Sequence, residues 1–162
     1  MAVVGFDFGT TNSLASVVIG TDVINFLDNE QPIPSVVSFE GGKVEVGRKA
    51  HDKLTSAGLG IQGSTVRSPK TLLGREEQVI DGVRRDPVQM VEHVLDHVRR
   101  FVLQTKAGQG LKMDRVVATI PVNMEGHRRA LLRQAFRQAG MSVVQFVHEP
   151  LAALYGYLRM SE

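Results

Sequence analysis

Residues 5–13 read Gly5-Phe6-Asp7-Phe8-Gly9-Thr10-Thr11-Asn12-Ser13, a strand running into a tight, hydroxyl-rich turn that carries one carboxylate. Ala2-Val3-Val4 feeds this stretch and Leu14-Ala15-Ser16-Val17-Val18-Ile19 leaves it, which predicts a β-hairpin of two apolar strands. Gly9 lets the chain bend and lets a ligand approach the main chain. Thr10, Thr11 and Ser13 add hydroxyls, and successive N–H groups in such a turn form an anion-binding concavity. A carboxylate beside a polyphosphate is repelled unless it holds a hydrated Mg²⁺ that bridges to the phosphates, which gives Asp7 a use. The same residues also fit an ordinary hairpin, with Asp7 bracing the turn and the threonines solvated.

Outward from this turn the chain reads as mixed α/β. Strands are expected at 2–8, 14–19, 22–27, 35–39 and 43–47, punctuated by Gly20, Pro32, Pro34 and Gly41-Gly42. A helix is expected over 48–57, after which Gly58 to Gly63 reads as a flexible connection into Thr65–Gly74. Asp86-Pro87 is an N-cap followed by proline at the first helical position. Val88, Val91, Val94, Leu95, Val98, Phe101 and Val102 then recur at helical spacing to about Thr105. Val116–Ile120 is a continuous apolar run, the pattern of a strand covered on both faces, and Pro121 stops it. Asn123 is expected to cap a second long helix, with Leu131, Leu132, Ala135, Phe136 and Ala139 on its core face and Gly140 at its end. Val143–Val147 reads as another strand, and 151–160 as a last helix through Leu151, Leu154, Tyr155 and Leu158. A meander followed by α-β-α-β-α predicts parallel strand neighbours with helices packed on them.

The chain has 162 residues, about one domain, and its 43% hydrophobic and 22% charged residues place it with soluble globular chains rather than disordered ones. A net charge of +2, with arginine pairs dispersed at 84–85, 99–100 and 128–129, gives no footprint for nucleic acid. The absence of cysteine excludes a disulfide framework, a thiolate metal site and a cysteine nucleophile, and agrees with a reducing compartment. No basic leader precedes an apolar stretch and no apolar run reaches membrane-spanning length. The expectation is a cytoplasmic protein with no nucleic-acid or membrane partner.

Three further constellations stand beside the hairpin. Lys70, in Ser68-Pro69-Lys70-Thr71-Leu72-Leu73-Gly74-Arg75, carries an ammonium that could reach a γ-phosphate or simply be solvated. Thr119-Ile120-Pro121 ends an apolar strand, where α/β proteins gather ligand contacts, although the proline also serves as a strand terminator. Glu149, held by Pro150, lies just past another strand end, either at a site or as a first-turn helix charge.

Taken in order, Gly-x-Asp-x-Gly-Thr-Thr-Asn-Ser, Pro34-Ser35-Val36-Val37, Val46-Gly47, Lys70 with Leu-Gly-Arg, Thr-x-Pro and Glu149-Pro150-x-Ala152-Ala153 form a set far more specific than any one of them. The set resembles the N-terminal part of the nucleotide-binding domain of the 70-kDa heat-shock, DnaK-like chaperone family. The similarity runs along essentially the whole chain and is dense at 3–19, 32–47, 65–75 and 116–157. The resemblance implies an actin-like ATPase fold of ribonuclease-H-like lobes. Residues 1–162 would form the first lobe, with 1–39 and 116–162 as its core and 40–115 as a small inserted subdomain.

What the resemblance implies for the site can be placed on this sequence. Asp7 looks like the carboxylate that holds Mg²⁺ through water. Gly9, Thr10, Thr11 and Asn12 look like the phosphate-binding turn, and Thr119 like a hydroxyl facing the γ-phosphate. Lys70 looks like the catalytic lysine and Glu149 like the acidic residue near metal and attacking water. Pro121 and Arg129 look like the proline and arginine of the family's allosteric switch. The implied cofactors are ATP or ADP with Mg²⁺, and the implied partners of the complete protein are unfolded polypeptide and cochaperones.

The sequence departs from the family in three respects. It stops at Glu162, before a second phosphate hairpin, an adenosine-binding lobe and a peptide-binding domain, so it is expected to be an inactive piece of a longer protein, with self-association through the exposed cleft face. Only about a dozen residues separate Arg75 from Pro87, which shortens the small subdomain. His148 and Leu151 flank Glu-Pro where the family has Asn and Thr, the mark of a divergent member. A sugar kinase or filament protein on the same fold and a non-catalytic binding module stay open. A metal-dependent nuclease is the weakest reading, because only Asp7 and Glu149 are well placed as carboxylates.

Overall fold

The structure is a computed structural model that describes residues 3–160. Its strands are β1 (Val4–Phe8), β2 (Asn12–Ile19), β3 (Asp22–Phe26), β4 (Ile33–Pro34), β5 (Val36–Ser38), β6 (Glu45–Val46), β7 (Gly60–Gln62), β8 (Thr65–Arg67), β9 (Gln78–Ile80), β10 (Val83–Arg85), β11 (Arg115–Ile120) and β12 (Ser142–His148). Its helices are α1 (Arg48–His51), α2 (Pro87–Gln104), α3 (Gly126–Gln138) and α4 (Glu149–Met160). The expectation for Ala2, and those for the Tyr155 and Leu158 side chains, lie outside the described residues.

Alternation along β1 sets the frame. Val4, Phe6 and Phe8 are buried, while Gly5 and Asp7 face the other way. β1, β2 and β3 form the antiparallel meander that the sequence predicts, and β11 and β12 add to the free side of β1 as parallel strands. The spatial order is β12-β11-β1-β2-β3, with β4 pairing with the start of β2. Parallel pairing requires crossovers, and α3 supplies the one from β11 to β12. The buried face of the sheet meets α3, and Phe6 and Phe136 touch edge to face with ring centroids 5.2 Å apart. Burying one such ring stabilises the fold by about 1.5–3 kcal/mol. α2 packs on α3 and β2, with Val91, Val94, Leu95, Val98 and Val102 buried at helical spacing. Asp86 caps it as expected, its Oδ1 accepting the Val88 N–H at 2.9 Å.

The opposite face of the large sheet is only partly covered. Val116, Ala118 and Ile120 are buried, whereas Val117 and Thr119 are half-buried. The expected burial of this strand on both faces is therefore corrected. A continuous apolar run here reflects one dry face and one face lining an open depression.

A second sheet, in the order β6-β5-β8-β7, is antiparallel throughout, and β9 and β10 form a separate hairpin. Here several expectations fail. The helix foreseen over 48–57 is the single turn α1: the Lys53 and Leu54 N–H groups already tighten onto the i−3 carbonyls of Ala50 and His51, at 3.1 and 3.0 Å, and the Thr55 and Ser56 N–H groups beyond them donate to the side-chain Oε1 of Gln62 at 3.2 and 3.1 Å. Gly58 to Gly63 is not a flexible connection. It contains β7, and Gln62 Nε2 also holds Gly58 O at 2.7 Å. The strand expected at 43–47 shortens to β6. Asn123 does not cap α3: the chain first turns through Met124 N–H to Pro121 O at 3.2 Å, and Glu125 occupies the cap position without a side-chain bond.

Candidate active site

The hairpin tip comes first. Gly9 N–H donates to Asn12 O at 2.9 Å, and a Cβ on Gly9 would stand 2.6 Å from that same oxygen. Glycine is needed here for close approach of backbone to backbone. Thr10, Thr11 and Asn12 are exposed at the tip. Ser13 is not, contrary to its expected part as a ligand donor. Its hydroxyl is fully buried, 2.8 Å from Ser35 Oγ, because β2 turns that face inward.

Asp7 stands on the exposed face at the end of β1. The parallel register places Phe6 beside Ala118, and one step on, Thr119 Oγ1 donates to Asp7 Oδ1 at 2.7 Å. Both line a depression of about 400 Å³ whose walls include Leu14, Ser16, Val147 and Ala152 of α4. A fixed, exposed carboxylate beside an exposed hydroxyl-rich turn suits a hydrated cation. Among the described residues no group of three or more His, Cys, Asp or Glu side chains is gathered to hold a metal, so a cation bound at Asp7 would draw its other ligands from water and phosphate.

Lys70 arrives from a 3₁₀ turn at Pro69–Leu72 and is only 3% exposed. Its Nζ donates to Phe8 O at 2.6 Å and stands 3.6 Å from Glu149 Oε1. Burial pushes the Lys70 ammonium below the usual lysine value, while the Glu149 and Asp7 carboxylates oppose that shift. Glu149 opens α4 and is half-exposed. Arg128 Nη2 donates to Lys70 O at 3.3 Å and so fixes the backbone that carries the lysine.

The hairpin tip, Asp7, Thr119, Lys70 and Glu149 thus meet at one end of the sheet. Pro121 follows β11 two residues beyond Thr119. Arg129 does not join the cluster. It is exposed on α3 and lines a separate groove of about 590 Å³ with Arg133, Arg137 and Phe146. That groove is larger than the depression at Asp7 but contains no carboxylate, so the chemistry rather than the volume marks the site. Arg128 and the Phe8 carbonyl were missed from sequence. A carbonyl carries no sequence signal, and Arg128 reads as half of a solvated arginine pair.

An antiparallel meander joined to two parallel strands in the order β12-β11-β1-β2-β3, with a glycine-pinned hydroxyl turn and a lysine–glutamate pair at one end, defines a mixed α/β class with its charged and hydroxyl side chains gathered at one end of the sheet. The chain belongs to the Hsp70 protein family, whose sequence profile matches residues 3–159. It is 29% identical over 158 residues to the chaperone protein DnaK of Mycoplasmopsis agalactiae, covering 96% of this chain and 25% of that protein. It is 30% identical over 162 residues to the chaperone protein DnaK of Mycoplasmoides gallisepticum, covering 96% and 26%. The chain therefore spans about a quarter of the length of these curated relatives. Membership carries with it the actin-like ATPase fold, with which the mixed α/β sheet agrees. Among the described residues no helix is long and apolar enough to cross a membrane.

Proposed function

We propose that this chain forms one wall of a Mg²⁺-ATP site in a longer, cytoplasmic, chaperone-like ATPase, whose binding and hydrolysis of ATP drive the capture and release of unfolded polypeptide with the help of cochaperones. The observation that carries the reading is the meeting of Lys70 and Glu149 beside Asp7 at the hairpin tip. The Thr10 and Thr11 N–H groups and hydroxyls bind phosphate, with Gly9 and Asn12 shaping the turn. Asp7 holds the water shell of Mg²⁺, which when bound neutralises phosphate charge. Lys70 positions the attacking water and offsets charge developing on the γ-phosphoryl group, and Glu149 orients that water and relays nucleotide state. Thr119 fixes Asp7 and offers its hydroxyl side to the γ-phosphate. Pro121 and Arg129 carry the signal outward.

In this reading 1–39 and 116–162 are the lobe's core and 40–115 is the small insertion, of which α2 is the element packed on the core sheet. A lobe presenting one wall binds nucleotide weakly and does not turn it over. Its bare cleft face, with Val18, Leu151 and Leu154 exposed, favours self-association, and a monomer over a wide concentration range in sedimentation would remove that part. The complete protein should release phosphate from ATP, and Lys70→Ala should abolish it. Parent-rate hydrolysis by that variant would overturn the assignment.

A further inference from the structure

The exposed tip of the hairpin is held from behind by two buried serines. Ser35 Oγ donates to Gly9 O at 3.2 Å, and the Ser35 N–H donates to Thr11 O at 2.9 Å. Ser68 Oγ donates to Thr10 O. The two serines are tied to each other, Ser68 N–H to Ser35 O at 2.9 Å, and Ser13 Oγ lies 2.8 Å from Ser35 Oγ. Ser13, Ser35 and Ser68 are each fully buried. Three consecutive carbonyls, Gly9 to Thr11, are therefore all drawn toward the protein.

The consequence follows from peptide geometry. In a trans peptide the C=O and the next N–H point in opposite directions, and among the described residues no peptide bond is cis. Drawing Gly9 O toward Ser35 turns the Thr10 N–H the other way. Drawing Thr10 O toward Ser68 does the same for the Thr11 N–H. Two successive amides then face outward beside the exposed threonine side chains, which is the arrangement that binds an anion. Ser68 adopts the left-handed region, at φ 60, to deliver its hydroxyl. That conformation is uncommon for a residue with a Cβ and persists only where surrounding bonds hold it. Here the Ser68 carbonyl also accepts from Thr71 N–H at 3.0 Å and Thr71 Oγ1 at 2.7 Å. Ser68 lies two residues before Lys70 on the same turn, so one short segment supplies both the lysine and a bond that aims the phosphate amides.

We propose that Ser35 and Ser68 are positioning residues for phosphate binding, acting by fixing the peptide planes of Gly9-Thr10 and Thr10-Thr11. The inference rests on the nucleotide reading above and names how this chain pre-forms the phosphate contact. The test is calorimetric titration of the complete protein and its Ser35→Ala, Ser68→Ala and Ser68→Gly variants with Mg²⁺-ADP and, separately, with adenosine. Glycine at 68 removes the hydroxyl together with its Cβ and suits the left-handed backbone, so that variant is expected to fold whatever alanine does. The expected result is a loss of about five- to tenfold in Mg²⁺-ADP affinity per lost bond, with adenosine affinity within about twofold of the parent. Ser68→Gly retaining the parent ratio of ADP to adenosine affinity would overturn the inference while leaving the nucleotide reading intact. So would an equal loss of both ligands, which is what damage to the fold alone produces. A parent protein that binds Mg²⁺-ADP no more tightly than adenosine would overturn the nucleotide reading itself.

Discussion

Thr119 Oγ1 donates to Asp7 Oδ1 at 2.7 Å, tying a carboxylate at the end of β1 to the neighbouring parallel strand β11. The bond fixes the orientation of the carboxylate, and in metal sites such outer partners change affinity by about 10–100-fold. Thr119→Val in the complete protein removes the donor at nearly constant volume. It should raise the Mg²⁺ concentration needed for half-maximal ATP affinity by about tenfold and leave the thermal midpoint within a few degrees. Asp7→Asn should raise it further. Magnesium titrations at fixed ATP decide this, and an unchanged midpoint in Thr119→Val would show that the bond does not orient the carboxylate.

Lys70 should lower the stability of the fold at neutral pH. Burial depresses its pKa more than Glu149 and Asp7 raise it. The folded state then releases the proton at a lower pH than the unfolded chain, so between the two values the unfolded state binds more protons and stability rises with pH. Lys70→Met keeps the length and removes the charge. The parent bears the full cost of the buried charge near pH 7, which works against the loss of the donor to Phe8 O, so the stability of the variant relative to the parent should be greatest there. That relative stability should fall as pH climbs toward the ordinary lysine value and the parent sheds the proton. Denaturant melts of both proteins at pH 7 and 9.5 measure the difference, and a difference that moves in favour of the variant as pH rises contradicts the sign.

The architecture was legible where a single period governed a long segment. The valine spacing of α2 and the Asp86-Pro87 start gave that helix nearly residue by residue, and Gly-x-Asp-x-Gly-Thr-Thr gave the first hairpin. Short elements were not, because their ends are set by side chains from elsewhere. Past the end of α1, Gln62 takes the Thr55 and Ser56 amides that a longer helix would have used, an arrangement with no local signature. The hairpin of β9 and β10 is a short element that does carry a local signal. Asp81-Gly82 between Ile80 and Val83 is a two-residue turn with both φ positive, +53 and +74, the strongest short hairpin signal there is. Of the site, the charged residues Asp7, Lys70 and Glu149 could be named from the sequence. The parts that hold them, Arg128, the Phe8 carbonyl and the serines behind the turn, depend on the three-dimensional approach of remote backbone.

Asp86 offers a test confined to stability. Its Oδ1 takes the Val88 N–H at 2.9 Å at the start of the 18-residue α2, and Pro87 already removes one orphan donor. Asp86→Ala should cost about 1 kcal/mol. For a chain of this size that is about 2–4 °C in the thermal midpoint. Nucleotide affinity should not change, since Asp86 lies on no wall of the depression at Asp7. Differential scanning calorimetry at one pH suffices, and a midpoint equal to that of the parent would show that Pro87 and packing alone hold the helix start.

Two glycine-to-alanine changes should act in opposite directions. At Gly9 the new Cβ would sit 2.6 Å from the backbone oxygen of Asn12, closer than a carbon and an oxygen can stand, and the obstacle is main chain rather than a movable side chain. Relief requires the turn to open and the Gly9 N–H to Asn12 O bond to lengthen. Overpacking of this kind costs about 1–3 kcal/mol, and because the moved peptides are those that face the ligand, Mg²⁺-ADP affinity should fall as well. At Gly126, the first residue of α3, a Cβ meets open space and the backbone is not left-handed. Alanine there restricts the unfolded chain and suits the helix, so stability should rise by about 0.4–1 kcal/mol with nucleotide affinity unchanged. Denaturant melts and ADP titrations of the two variants side by side separate a general intolerance of the fold to alanine, which would lower both, from the close approach at the hairpin tip, which lowers only Gly9→Ala.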